Sequence, residues 1–213
     1  LDTALRWIRK IWSITGPDRS EDIEYAHNYA RQQVRGGYEN REFIIALIDE
    51  WIKDDKLNFL SAKKIVDNEI NQLVTEQRTW PEITDYDRLH DAMQELSANS
   101  IVARENFSCC QNCGRAEITD EINAQIAAGK TPRGYAFFHE QGTEGAIDGY
   151  GVCLSYGSAV WDQSFSDDIK VGHQIVKTME NNELDVEWDG TIEKRICVNL
   201  SWQRRWKTNK RDA

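Results

Sequence analysis

Three of the chain's five cysteines, Cys109, Cys110 and Cys113, fall within five positions of the stretch ENFSCCQNCGRAEI. Thiolates bind soft metals, exchange with disulfides, or stay protonated and pack, so the run admits three chemistries. A zinc ion asks for four sulfur or nitrogen donors. One C-x-x-C unit, Cys110 to Cys113, supplies two and Cys109 a third; the remainder would come from His139, Cys153 or Cys197. The candidate zinc set is therefore Cys109, Cys110, Cys113 and His139. A strand, then C-x-x-C, then a helix is also the thioredoxin-like order, in which a helix N-terminus lowers the pKa of the leading cysteine. No tryptophan closely precedes this pair, however, and that family's isoleucine-proline-threonine turn is missing. The third reading is packing: small apolar side chains closing a strand-to-helix turn. Cys153 and Cys197, each within a strand-like run, are expected to be buried in the same way.

Cys110 and Cys113 are also candidate catalytic residues, with His139 and Glu140. His139 follows the apolar run Tyr135-Ala136-Phe137-Phe138 and so sits at a strand's C-terminal end, where open sheets bind ligands. Imidazole carries protons near neutral pH, and Glu140 and Glu144 are close in sequence; the other reading of His139 is a hydrogen-bonded structural histidine. His173 is expected in the core, His27 and His90 on exposed helix surface. No serine sits in G-x-S-x-G, and no phosphate loop is present; Gly149-Tyr150-Gly151 lacks the third glycine. Asp167-Asp168 reads as a helix start, and Trp161, Trp202 and Trp206 as core.

Elements must hold these groups in place. Helical stripes run along Ile23, Ala26, Ala30 and Val34, along Ile44, Leu47, Ile48, Trp51 and Ile52, and along Ala62, Ile65, Val66, Ile70, Leu73 and Val74. Leu5, Ile8 and Trp12 suggest a shorter helix before them. Gly36-Gly37 ends the first stripe, and Asn40 can cap the second. After Trp80-Pro81, Thr84 with Asp87 predicts a capped helix, and strands then alternate with helices. Strands are expected over 101–107, 135–139, 152–156, 185–188 and 195–202, and helices carry Ile118 to Ile126 and Ile169 to Met179. Thr143 to Ile147 reads as one helical turn, and Asp189-Gly190 as a hairpin between the last strands. The fold class expected is mixed α+β: a helical part over 1–80, packed on an open mixed sheet over 81–206 with helices on at least one face, and a basic tail over 207–213.

These spaced landmarks resemble an uncharacterised bacterial family, a domain of unknown function. They are Thr79-Trp80-Pro81, Thr84-Asp85-Tyr86-Asp87-Arg88-Leu89, Asn106-Phe107-Ser108-Cys109-Cys110-Gln111-Asn112-Cys113-Gly114, Val186-Glu187-Trp188-Asp189-Gly190 and Trp202-Gln203-Arg204-Arg205. The resemblance implies a bacterial origin and a recurrent fold, and it brings no catalytic residues with it.

Composition narrows the function classes. The net charge is −10, and residues 81–202 hold 9 Lys/Arg against 21 Asp/Glu, which repels a phosphate backbone. Nucleic acid is thus an unexpected partner. No apolar run reaches the ~20 residues of a membrane span. An odd cysteine count with a bunched trio does not read as a secreted disulfide framework, so a reducing cytoplasm is expected. Lacking a nucleophile-base-orienter set, the sequence points to a non-enzymatic binding or regulatory protein, its acidic surface suited to a basic protein partner. The alternative is a metal- or thiol-dependent enzyme centred on the cysteines. Zinc is the one cofactor in view.

Overall fold

A computed structural model describes residues 19–54, 61–160 and 165–206. The helix expected around Leu5, Ile8 and Trp12, the loop residue Trp161 and the basic tail over 207–213 lie outside the described residues.

The fold is mixed α+β. Its first part is three helices, α1 (Arg19–Gly36), α2 (Arg41–Asp54) and α3 (Ala62–Glu76). Their apolar stripes meet: Ala26, Ala30 and Val34 of α1, Ile44, Ile48 and Ile52 of α2, and Ala62, Ile65, Val66 and Leu73 of α3 form one buried cluster. Each buried isoleucine contributes about 2 kcal/mol of transfer free energy. The punctuation is local. Gly37 adopts φ +69° and its N–H closes on Gln33, ending α1. Asn40 Oδ1 accepts from the Phe43 amide and starts α2.

The second part runs α4 (Asp85–Ala98), β1 (Ile101–Arg104), α5 (Gln111–Ala127), β2 (Gly134–Phe137), α6 (Glu140–Ile147), β3 (Val152–Ser158), α7 (Ser166–Asn181), β4 (Asp185–Glu187) and β5 (Ile196–Asn199). Thr84 caps α4 through a reciprocal box with Asp87, as its spacing predicts. The strand order is β1-β2-β3-β5-β4. β1 and β2 are parallel, and every later pairing is antiparallel.

Alternation gives the sheet two faces. Ile101, Ala103, Ala136, Phe138, Leu154 and Ile196 pack with α4 and α7. Val102 and Phe137 pack with Ile118 and Ile122 of α5 on the opposite face. α5 comes close because residue 114 is glycine: a Cβ there would lie 2.5 Å from the Phe137 ring.

Several expectations are corrected. The first two strands stop at Arg104 and Phe137, because the chain turns out of the sheet before reaching Phe107 or His139. α6 is a full helix from Glu140 and not one turn. His173 is exposed on α7, with its ring edge-on to Trp188 at 5.0 Å, and is not core. Cys153 and Cys197 are half-buried and opposite one another in the β3–β5 register, where they form a disulfide. Antiparallel neighbours bring Cβ atoms within bonding range, which a reading of each strand alone does not see.

A strap over residues 200–206 ties the two parts together. Ser201 N–H donates to Asp85, Trp202 Nε1 to the Arg35 carbonyl, Arg204 to the Gly36 carbonyl, and Trp206 N–H to Gln77. Arg205 pairs with Asp87 at 2.8 Å and donates to the Pro81 carbonyl. The strap thereby satisfies carbonyls at the end of α1 that the helix leaves open.

Candidate metal centre

β1 passes to α5 through a turn shaped by two left-handed residues, Asn106 (φ +48°) and Ser108 (φ +62°). Non-glycine residues adopt this region at a cost, so surrounding contacts must hold it. Phe107 N–H donates to the Phe138 carbonyl at 2.8 Å, Glu140 N–H to the Ser108 carbonyl at 3.1 Å, and the Phe107 ring meets Phe137 edge-on at 5.6 Å. The turn is thereby pinned to the β2–α6 junction.

At its end stand the three thiols. Their Sγ atoms all lie within 4.8 Å of one another. Cys109 and Cys113 are exposed and Cys110 is half-buried. Cys110 is the N-cap of α5, in extended conformation, and its side chain closes no cap hydrogen bond. The Cys113 and Asn112 amides nevertheless face its sulfur. Led by the Cys113 amide, with the Cys113 thiol adding, they hold the Cys110 thiol below its ordinary 9.0 against the opposing effect of burial. Cys109 is pushed up to about 11, first by lost solvation and then by the Cys113 and Cys110 thiols. One thiol thus gives up its proton more readily than a free cysteine does, at the positive end of a 17-residue helix and with two more thiols beside it. Such a group can ligate a soft metal or form a Cys110–Cys113 disulfide.

The other candidates are elsewhere. His139 is the N-cap of α6: its Nδ1 accepts from the Gly142 amide at 3.2 Å, and the residue is 8% exposed. Burial, then the Arg195 charge, pushes its pKa down. It stands outside the group of close thiols, which comprises Cys109, Cys110 and Cys113 alone. Cys153 and Cys197 are spent on each other. Glu140 begins α6, its carboxyl raised by burial and by Glu39 and Glu117. The structure therefore brings three of the four candidate zinc ligands together and leaves the fourth out.

Sequence reasoning missed a polar centre on the other side of this junction. The Glu105 side chain, 11% exposed, accepts Tyr38 and Tyr86 hydroxyls on one oxygen at 3.0 and 2.9 Å, and His90 Nδ1 lies 2.6 Å from the other. The Arg204 guanidinium lies 3.7 Å from the Tyr38 ring centroid and 4.9 Å from that of Tyr86. An acid at a strand end is the only mark of this centre in the sequence.

No curated protein and no solved structure matches the chain. The family described as domain of unknown function (DUF6891) matches residues 19–206, which takes in both halves of the fold and the cysteine turn. The chain belongs to that family.

Proposed function

We propose that this is a non-enzymatic metal-binding protein whose centre is the thiol turn, holding a zinc ion through Cys109, Cys110 and Cys113. The observation that carries this reading is the convergence of three sulfur atoms within 4.8 Å at the open N-terminus of α5. Tetrahedral zinc has Zn–S bonds of about 2.3 Å, which places bound sulfurs about 4 Å apart. Zinc supplies a charge that orders the turn, and the exposure of Cys109 and Cys113 leaves a fourth position for water or a donor from a protein partner.

The test is elemental analysis of the purified protein with a thiol count before and after chelation. Near one zinc per chain, with the cluster thiols released only by chelator, is the expected result. Zinc-free protein that takes up none on incubation with the metal under reducing conditions sinks the proposal. A second reading, thiol exchange at Cys110–Cys113, is supported by their spacing across a helix N-terminus. It predicts a Cys110–Cys113 disulfide on mild oxidation of metal-free protein, with no dependence on zinc.

A further inference from the structure

A cleft of about 250 Å³ opens between the bundle and the sheet half, with Asn106 of the turn that leads to the thiols among its lining residues. Tyr29 of α1, Tyr38 and Glu39 of the α1–α2 link, Phe43 of α2, and Glu140 and Glu144 of α6 form its working walls. We propose that it binds an organic cation, a guanidinium or alkylammonium group, independently of any metal at the cysteines.

Acidic side chains are ordinary on this protein, and the setting of these is what distinguishes them. They line a concavity with three aromatic residues, and no Lys, Arg or His is among its lining residues. None of the three carboxylates makes an ion pair among the described residues, whereas Asp67, Glu76, Asp87 and Asp148 nearby are each matched by an arginine. Burial raises all three carboxyl pKa values. Glu39 adds to the effect at Glu140, and Glu140 to that at Glu144. A bound cation removes that mutual repulsion.

A separate contact shows that one wall of the cleft accepts a guanidinium. The Tyr38 ring, which lines this cleft, already carries a guanidinium from the same chain: Arg204 sits 3.7 Å from its centroid and lines the larger neighbouring cavity of about 600 Å³. Aromatic faces attract cations through the ring quadrupole, and guanidinium stacks on them especially well. The carboxylate oxygens, in turn, do not converge. The one trio of close ligand atoms among the described residues is that of the cysteines. Charge spread around an aromatic concavity suits a large, delocalised cation and not a compact metal ion, which needs its oxygens gathered at about 2–2.6 Å. The volume admits one side-chain-sized group and is below that of drug-sized pockets.

The source of the cation is either a free small molecule or an arginine or lysine of a polypeptide, and two probes separate them. The full chain is titrated with methylguanidinium and with a capped Gly-Arg-Gly peptide, and amide NMR shifts are followed against sodium chloride of equal ionic strength. The expected result is saturable shifts clustered at residues 38–43 and 140–147, weakened about tenfold in Glu140→Gln/Glu144→Gln. Weakening in Phe43→Ala, which keeps the net charge, is also expected. Tighter binding of the peptide assigns a polypeptide source, and equal or tighter binding of methylguanidinium assigns a free cation. Shifts reproduced by sodium chloride alone, or wild-type affinity in the double variant, overturn the proposal.

Discussion

β1 and β2 lie side by side, run in the same direction and each hands the chain to a helix, yet the two junctions are built differently. At the second, His139 bends back to accept the Gly142 amide, and the N-terminus of α6 is satisfied within the protein. At the first, the N-cap is Cys110, whose side chain closes no such bond, and the amides ahead of it face a cluster of thiols. A helix N-terminus is a place of positive potential and unpaired donors. The same topology thus yields one joint closed by an imidazole and one whose N-cap side chain is left among the neighbouring thiols.

Ways to break this contrast can be ranked by size. The largest effect belongs to the thiols: Cys110→Ser and Cys113→Ser should each lower zinc affinity more than about a hundredfold, read by competition with a chromogenic chelator. His139→Ala should leave that affinity unchanged. If His139→Ala loses zinc as the cysteine variants do, the two junctions are one site and the contrast is wrong.

Next comes the closeness of α5 to the sheet. Gly114→Val drives a side chain into the buried Phe137 ring and should cost about 3 kcal/mol in denaturant unfolding. A smaller loss would mean that α5 can shift, and with it the thiols. The histidine joint is worth less. His139→Ala should destabilise by about 1 kcal/mol, and His139→Asn, which retains a side-chain acceptor, by only a fraction of that.

The smallest effect lies at Glu144 on α6. Burial, then Glu140 and Asp148, holds its carboxyl above the ordinary 4.5. The folded state therefore keeps this proton more tightly than the unfolded one, and stability falls as pH rises through the window above 4.5. Glu144→Gln should stabilise at neutral pH by about 0.3 kcal/mol, solvent screening included, and the gain should vanish below pH 4.5. A gain of the same size on both sides of that window would show the cause is not the charge.

How far the sequence revealed this depends on range. The Thr84–Asp87 box, the helical stripes of the bundle and the C-x-x-C placed between strand and helix are written within a few residues each, and they read correctly. Alternation over Ile196 to Asn199 likewise matched burial, with Ile196 and Val198 inward. What stayed hidden was long-range. The Cys153–Cys197 bond depends on a register set between strands 44 residues apart. The carboxylate of Glu105 draws its donors from 15, 19 and 67 residues away. His139 was legible only as a residue at a strand's end: caps are usually serine, threonine, aspartate or asparagine, so its place as the α6 cap shows only in the fold.

The strand order carries a consequence for how the chain comes into being. β5 lies between β3 and β4, yet it is synthesised after both. Until Ile196 to Asn199 have left the ribosome, β4 has no strand to pair with, and β3 presents its edge with Val152 and Leu154 unmatched. A chain ended near residue 190 therefore lacks the strap and the Trp206 ring that pack on the bundle, and its sheet has one raw side open to any other extended strand. Residues 196–206 close that edge and then, through the strap, fasten the bundle in place.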